Sequence, residues 1–216
     1  PVGNWYSGIG NHWFYDRRNY VFENYLNFNR SFGDHSVDAT LGYSMEYQRT
    51  QNKSQGGSNF NFDLQGIYGW PQLVTPGPMG ISEIQRTLAS FYGRLFYNFK
   101  DRYLVTFTAR QDGSSVFAAN KKWAFFPSGA VAWVLSEESF MDGATWLSNM
   151  KLRGSYGLTG SQAIGPYGSL AKLRSSAGYE AGYVFGGTKN SGLVPLSPAN
   201  PDLVWETTAQ MNIGLD

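Results

Sequence analysis

Strict alternation of apolar and polar residues marks the segment from Ser36 to Gln48. Every odd position in it is apolar, and no even position is. A period of two places the two sets of side chains on opposite faces of a β-strand. The preceding segment, 19–32, follows the same period, and Gly33-Asp34-His35 between them has the composition of a tight turn. The pattern therefore predicts a long β-hairpin.

The same period returns further along the chain, with strong signals at 88–99, 103–111 and 203–216. The seven predicted strands are 19–32, 36–48, 88–99, 103–111, 123–135, 150–160 and 203–216. Several of them exceed the roughly 5–6 residues of an ordinary globular strand and reach the ~9–11 residues that a tilted membrane-spanning strand needs. Strand length therefore favours an all-β, antiparallel sheet that crosses a membrane.

The connections between the predicted strands differ in length at the two ends of the sheet. Those at 33–35, 100–102 and 136–149 are short or moderate, whereas those at 49–87, 111–122 and 161–202 are mostly longer and rich in Gly, Pro, Asn and Ser. Short turns at one end and long loops at the other are typical of outer-membrane β-barrels. A soluble β-sandwich or lectin-like domain has the same period and stays an open alternative.

Aromatic residues are placed as a membrane barrel would place them. With the short turns assigned to the periplasm, we expect Phe28, Phe32, Phe99 and Tyr103 near the lower membrane interface, and Tyr47 and Trp205 toward the upper one. Barrels carry girdles of aromatic residues at both interfaces, because these rings combine an apolar body with a polar edge.

Composition excludes several other classes of protein. Aromatic residues make up 17% of the 216 residues and charged residues only 15%, which argues against disorder and against helix bundles. The net charge of +1 lacks the basic excess of nucleic-acid binders, so no nucleic-acid partner is predicted. The absence of cysteine excludes disulfides and thiolate chemistry, and no apolar run approaches the ~18 residues of a membrane-spanning helix.

The sequence offers little catalytic chemistry. Its two histidines, His12 and His35, lie in an aromatic segment and a tight turn, and no nucleophile elbow or phosphate-binding loop is present. We interpret Asp112–Ser115 as a strand-to-loop turn and Glu137-Glu138 as the cap of a short helical element. We therefore predict no enzyme, no catalytic residue, no metal site and no cofactor.

Charged residues on the polar parity of the predicted strands are candidates for a barrel lumen. An ionised side chain facing lipid at the middle of the membrane costs about 2–4 kcal/mol, so these residues are expected to point inward. The lumen-facing candidates are Asp38, Glu46, Arg94, Arg110, Lys151 and Arg153. For each of them, simple hydration of the wall or mutual pairing is the alternative to a functional contact.

Several segments resemble the barrel of SusC/RagA-type TonB-dependent transporters. They are KDRYL (100–104), RQDGSS (110–115), FFPS (125–128), AW (132–133), SEESFM (136–141), WLSNMKLR (146–153), SYGLTGSQ (155–162), NPDLVWETT (200–208) and NIGLD (212–216). Their order matches the family over residues 100–216, and 19–48 fits more loosely. The chain departs from the family pattern at Gln111, Val116 and Ser161, where Ala, a basic residue and Asn are usual.

The resemblance implies a fragment of a 22-stranded transmembrane β-barrel in the cell outer membrane of a Bacteroidetes-type bacterium. It also implies a plug and N-terminal domains absent from this chain, a SusD-like surface lipoprotein as lid, energy from the TonB-ExbB-ExbD complex, and contact with outer-membrane lipid. The function expected is active import of a large nutrient, a glycan or an oligopeptide. A passive porin or adhesin barrel and a soluble carbohydrate-binding β domain are the alternatives.

The connection 49–87 is the best candidate for contact with substrate or lid. Aromatic faces beside amide groups suit sugar rings and peptides equally. The candidate residues are Phe60, Phe62, Gln65, Tyr68 and Trp70. Together with 161–202 this loop is expected to form an external vestibule, and packing between loops in the barrel mouth is the alternative role for each residue.

Overall fold

The computed structural model describes residues 9–59, 75–143, 146–176 and 182–216, and β-strands dominate this part of the chain. The long strands are β1 (Ile9–Phe32), β2 (His35–Ser58), β3 (Thr75–Phe99), β4 (Tyr103–Ser114), β5 (Trp123–Val134), β6 (Lys151–Ser161) and β11 (Glu206–Leu215). The short strands are β7 (Lys172–Ser176), β8 (Tyr183–Phe185), β9 (Thr188–Asn190) and β10 (Gly192–Ser197). Among the described residues, no helix has the length and apolar character needed to cross a membrane.

The seven long strands form one sheet in the order β1-β2-β3-β4-β5-β6-β11. Neighbours in the sheet are neighbours along the chain as far as β6, and β11 pairs with β6 in antiparallel register. The short strands form two separate antiparallel ladders, β7 with β10 and β8 with β9. The sheet is open, with β1 and β11 at its edges.

Three strands extend far beyond the segments where alternation was visible, and β4 continues to Ser114 rather than ending at 111. β1 begins at Ile9 rather than at 19, β2 continues to Ser58 rather than 48, and β3 begins at Thr75 rather than at 88. The additional residues carry polar side chains at both odd and even positions. They form strands through hydrogen bonds to their neighbours, and their sequence lacks the alternation of apolar and polar residues that predicts a strand. The expected loop 49–87 is correspondingly shorter, and part of 161–202 forms the two short ladders.

The chain divides into two compact units, 1–20 with 47–86 and 21–46 with 87–216. In the first unit, side chains of β2 and β3 pair through the Arg49–Glu83 contact of 2.6 Å, and the Gln51 amide also donates to Glu83, at 3.2 Å. The Lys53 ammonium lies over the Phe14 ring at 5.8 Å. Polar and cationic contacts thus connect the three strands of this unit.

The second unit contains a small buried cluster formed by connections that pack on β5. Trp205 lies 4.8 Å from Phe117 and 5.5 Å from Phe126 between ring centroids, and its indole N–H donates to the Lys122 carbonyl at 2.8 Å. Trp205 is only 8% exposed, and Val116 is fully buried beside it. The ring and the N–H of Trp205 both find partners within this cluster, so Trp205 is not exposed in the way that a girdle residue is; its expected level toward the upper membrane interface stays a prediction.

Candidate functional site

The register of the sheet separates an apolar face from a polar face. Residues directly opposite each other in antiparallel strands share a face, so Val105, Val131, Gly154 and Ile213 form one row across four strands. The apolar face comprises Leu41, Tyr43, Phe91, Leu95, Val105, Phe107, Val131, Leu152, Tyr156, Met211 and Ile213. Many of these side chains are more than half exposed, including Val131 at 58% and Ile213 at 76%. Water is an unfavourable solvent for a continuous surface of this kind.

A row of aromatic rings crosses the apolar face beside the short turns. Successive ring centroids lie 5.2 Å apart for Phe32 and His35, 4.8 Å for His35 and Phe99, 6.2 Å for Phe99 and Tyr103, and 6.3 Å for Tyr103 and Trp133. The row contains Phe32, Phe99 and Tyr103, three of the residues expected at the lower interface. His35 also lies 2.7 Å from the Tyr97 hydroxyl through Nδ1, so this histidine is part of the aromatic row.

The Glu138 carboxylate accepts hydrogen bonds from the polar groups of two of these rings. The Tyr103 hydroxyl donates to it at 2.6 Å and the Trp133 indole N–H at 2.9 Å, while the Arg102 guanidinium lies 3.4 Å away. These donors, the Tyr103 hydroxyl foremost, lower the pKa of Glu138. Glu138 is the C-cap of one 3-10 turn and the N-cap of the next, and its backbone N–H donates to the Leu135 carbonyl at 3.1 Å, but its side chain caps neither turn. The carboxylate instead connects the turn after β5 to the aromatic row.

All six charged residues predicted for the lumen lie on the polar face. Asp38 accepts a hydrogen bond from Asn29 across the β1–β2 hairpin. Lys151 and Arg153 converge on Asp216, at 3.2 Å and 3.1 Å. Arg94 lies opposite Thr108 in the register, and Glu46 shares the parity of Asp38 along β2. The structure thus brings Lys151 and Arg153 together and distributes the other four along the sheet.

Arg110 belongs to a polar network that the sequence did not reveal. Its Nε lies 2.7 Å and 2.9 Å from the two carboxylate oxygens of Asp112, and its NH2 group donates to Ser90 at 3.0 Å. Asp112 is 8% exposed and Ser90 is fully buried. The interpretation of Asp112–Ser115 as a turn is corrected here, since β4 continues through Ser114 and Asp112 is a paired strand residue.

Tyr92 extends this network across β2 to the edge strand. Its hydroxyl donates to Glu23 of β1 at 2.8 Å, and the Arg110 guanidinium lies 5.9 Å from its ring centroid. The ring passes over Gly42 of β2, where an added Cβ would lie 2.2 Å from Tyr92 Cζ. The sequence signal for this bridge was an aromatic residue among the polar positions of β3. The bridge was not predicted, because Tyr92 interrupts the alternation and its partners lie far away in the sequence.

The five candidates for substrate or lid contact, Phe60, Phe62, Gln65, Tyr68 and Trp70, lie outside the described residues. The Asn59 side-chain amide donates to the Thr75 hydroxyl at 3.0 Å, so the ends of β2 and β3 lie side by side. Within the described ranges, no three metal-ligating side chains of the His, Asp and Glu type come together.

Comparison with protein families identifies the sheet. Residues 2–216 match the model of the TonB dependent receptor-like β-barrel. A TonB-dependent receptor of Formosa agariphila is 38% identical over 97% of this chain and 21% of its own length, and the TonB-dependent receptor SusC of Bacteroides thetaiotaomicron is 42% identical over 61% of this chain and 13% of its own. The chain therefore spans about a fifth, or less, of the length of these relatives.

Solved structures give the same answer. The RagAB peptide transporter superposes with a TM-score of 0.82 at 25% identity over 96% of this chain and 22% of that one, and the RagAB peptide importer in its open-open state gives a TM-score of 0.81 at 25% identity. The expected SusC/RagA resemblance and the expected all-β, antiparallel barrel architecture are both confirmed. The chain belongs to the TonB-dependent receptor β-barrel family and is a SusC/RagA-like part of such a barrel.

Proposed function

We propose that these residues form part of the wall of an outer-membrane barrel that imports a large nutrient by TonB-dependent active transport. The observation that carries the proposal is the separation of the sheet into an exposed apolar face and a charged, hydrogen-bonded polar face. A wall between lipid and an aqueous lumen needs this separation. A soluble domain would have to cover its apolar face with a second layer, and within the described residues this face is exposed.

The proposed membrane boundary follows from the chemistry along single strands. On β1, the positions on the apolar face carry Tyr20, Phe22, Leu26, Phe28 and Phe32, interrupted by Asn24 and Arg30, and two successive charges, Arg18 and Asp16, precede them. The thirteen residues from 20 to 32 exceed the ~9–11 that a tilted strand needs to cross the hydrocarbon. With the short turns in the periplasm, the aromatic row beside them is the lower girdle. The first residues of β1, the last residues of β2 and the first residues of β3 then lie on the outer side of the hydrocarbon.

Asp38, Glu46, Arg94, Arg110, Lys151 and Arg153 are proposed to face the lumen. Lys151 and Arg153 share the single carboxylate of Asp216, which leaves this part of the wall cationic. Arg110 and Asp112 neutralise each other, and the hydrogen bond from Arg110 to Ser90 connects β4 to β3. We therefore assign the first pair to contact with the barrel interior and the second to stabilisation of the wall.

The nutrient is proposed to be a glycan or an oligopeptide, handled with a SusD-like lipoprotein and powered by the TonB-ExbB-ExbD complex. The SusC relative and the RagAB neighbours, one named a peptide transporter, support this assignment. The plug and the TonB-contact segment are expected elsewhere in the full-length protein. Phe60, Phe62, Gln65, Tyr68 and Trp70 are proposed as contacts for the nutrient or the lipoprotein lid.

Replacement of residues 60–74 by Asn-Gly tests this function. The Asn59–Thr75 hydrogen bond places the strand ends at hairpin distance, and Asn-Gly favours the two-residue turn that such a hairpin takes. We expect the full-length variant to assemble in the outer membrane and to lose nutrient uptake. A control variant with a short tag inserted between Asp142 and Gly143, on the opposite side of the membrane, is expected to retain uptake. Normal uptake by the loop variant would contradict the assignment.

A further inference from the structure

A trough runs along the apolar face where two strands lack side chains. Gly129 of β5 and Gly154 of β6 both lie on this face, opposite Tyr156 and Val131 respectively. A Cβ added to Gly154 would meet no heavy atom within 4 Å, and one added to Gly129 would reach only a backbone oxygen at 4.0 Å. The trough has a volume of about 530 Å³ near Trp133 and continues toward Met211.

The side chains that border the trough are apolar, because the polar residues in its lining, Arg153, Thr106, Ser155 and Asn212, lie at register positions of the opposite face. Val105 and Val131 border it on one side, and Leu152 and Ile213 border it on the other. At the end beside the short turns it closes on the rings of Tyr103 and Trp133, whose polar atoms are already bonded to Glu138. A ligand with polar groups along its length would find no partner in the trough, whereas a hydrocarbon chain would lose nothing there.

The position of the trough in the sheet identifies the leaflet. Its rows lie between Tyr103 and Phe107 on β4, the first five residues after the short turn. Five strand residues rise about 16 Å along the strand and less along the membrane normal, because barrel strands are tilted by about 35–45°. This depth is about half of the ~25 Å apolar band of an outer-membrane barrel. With the short turns on the periplasmic side, as proposed above, the trough lies in the leaflet next to the periplasm.

We propose that the trough is a binding site for one acyl chain of a glycerophospholipid in the periplasmic leaflet. The proposal rests on the proposed function in two respects, namely that the apolar face contacts lipid and that the short turns lie on the periplasmic side. It adds a defined site with one preferred occupant to a surface that would otherwise contact lipid at random. The trough lies in the interior of the sheet and is continuous with the exposed apolar face, and the aromatic row marks the level of the lipid headgroup.

Native mass spectrometry of the full-length protein, extracted in mild detergent, tests the proposal. We expect the wild-type protein to retain one tightly held phospholipid and Gly154→Leu to lose it, because the open space beside Gly154 accepts the added Cβ and the rest of the leucine side chain then occupies the trough. Gly143→Leu, at another glycine with open space, is the control and should retain the lipid. A phosphatidylethanolamine with a photoreactive acyl chain should label the peptides that contain Leu152 and Ile213, and Gly154→Leu should reduce this labelling at least several-fold.

Two results would overturn the site while leaving the transport proposal intact. One is a membrane-assembled wild-type protein that retains no phospholipid; the other is equal retention and labelling in the Gly154→Leu and Gly143→Leu variants. A detergent-purified dimer that excludes lipid from the trough would show a second copy of the chain as the occupant. A wild-type protein that fails to enter the outer membrane would refute the proposed function itself.

Discussion

Replacement of Gly42 by alanine should break the bridge that Tyr92 forms across β2. The added Cβ would lie 2.2 Å from Tyr92 Cζ and 2.5 Å from its hydroxyl oxygen, so the ring has to move away from Glu23. Loss of the hydroxyl–carboxylate hydrogen bond costs about 0.5–1.5 kcal/mol, because the exposed carboxylate regains water. Overpacking adds about 1–3 kcal/mol, and the better strand propensity of alanine returns roughly 0.5–1 kcal/mol. We expect a net destabilisation of about 1–3 kcal/mol.

A double-mutant cycle with Tyr92→Ala isolates this interaction. Once the ring is removed, nothing opposes the alanine, and Gly42→Ala should be neutral or stabilising by up to about 1 kcal/mol. The measurement is the urea dependence of unfolding of the full-length protein in detergent micelles, followed by tryptophan fluorescence for the wild type, both single variants and the double variant. An equal cost of Gly42→Ala with and without the tyrosine ring would refute the bridge.

Three further substitutions test other contacts of the wall. Trp205→Ala should lower the free energy of unfolding by about 3–5 kcal/mol, and Trp205→Phe, which keeps a ring beside Phe117, by much less; urea denaturation of the two variants decides this. Asp112→Asn leaves the Arg110 guanidinium without its counter-charge and should cost about 1–3 kcal/mol by the same assay, whereas Asp101→Asn in an exposed turn should change little. The pKa of Glu138 is lowered in the folded protein, so its carboxylate stabilises the fold at pH values above the ordinary glutamate pKa of about 4.3. This stabilisation is lost as the pH falls through the lower pKa of the folded state. Glu138→Gln should therefore reduce the change in melting temperature between about pH 3 and 5. An unchanged pH dependence in this variant would assign the acid sensitivity to other groups.

Local periodicity was enough to predict the two faces of the central strands. Phe107 lies on the apolar face of the sheet and Thr108 on the polar face, so adjacent residues differ in polarity and the sequence alternates. The outer ends of β1 to β3 lack that difference, since residues such as Asp16 and Arg49 place charges on the parity that is apolar further along the strand. Their strand structure depends on pairing with neighbours, which no local pattern records.

Long-range side-chain contacts were the second feature that the sequence could not supply. Trp205 looked like an interfacial residue because its predicted strand is amphipathic, yet its ring is buried against the connection at 115–122, and its N–H donates to the carbonyl of Lys122, 83 residues earlier. The Glu23–Tyr92 and Glu138–Tyr103 contacts span 69 and 35 residues. The alternation of residues predicted whether each of these residues lies in a strand or a turn. The partner of each polar group, however, is set by the register of the whole sheet.

The assignment of one face to lipid and the other to water is tested most directly on β4. Single nitroxide labels at positions 104 to 110 of the full-length protein, reconstituted in bilayers, report collision rates with oxygen, which concentrates in lipid, and with a water-soluble nickel complex. We predict an alternating profile in which Val105, Phe107 and Ala109 favour oxygen while Thr106, Thr108 and Arg110 favour nickel. A profile without a period of two, or one in which Thr106 and Thr108 favour oxygen, would contradict the account.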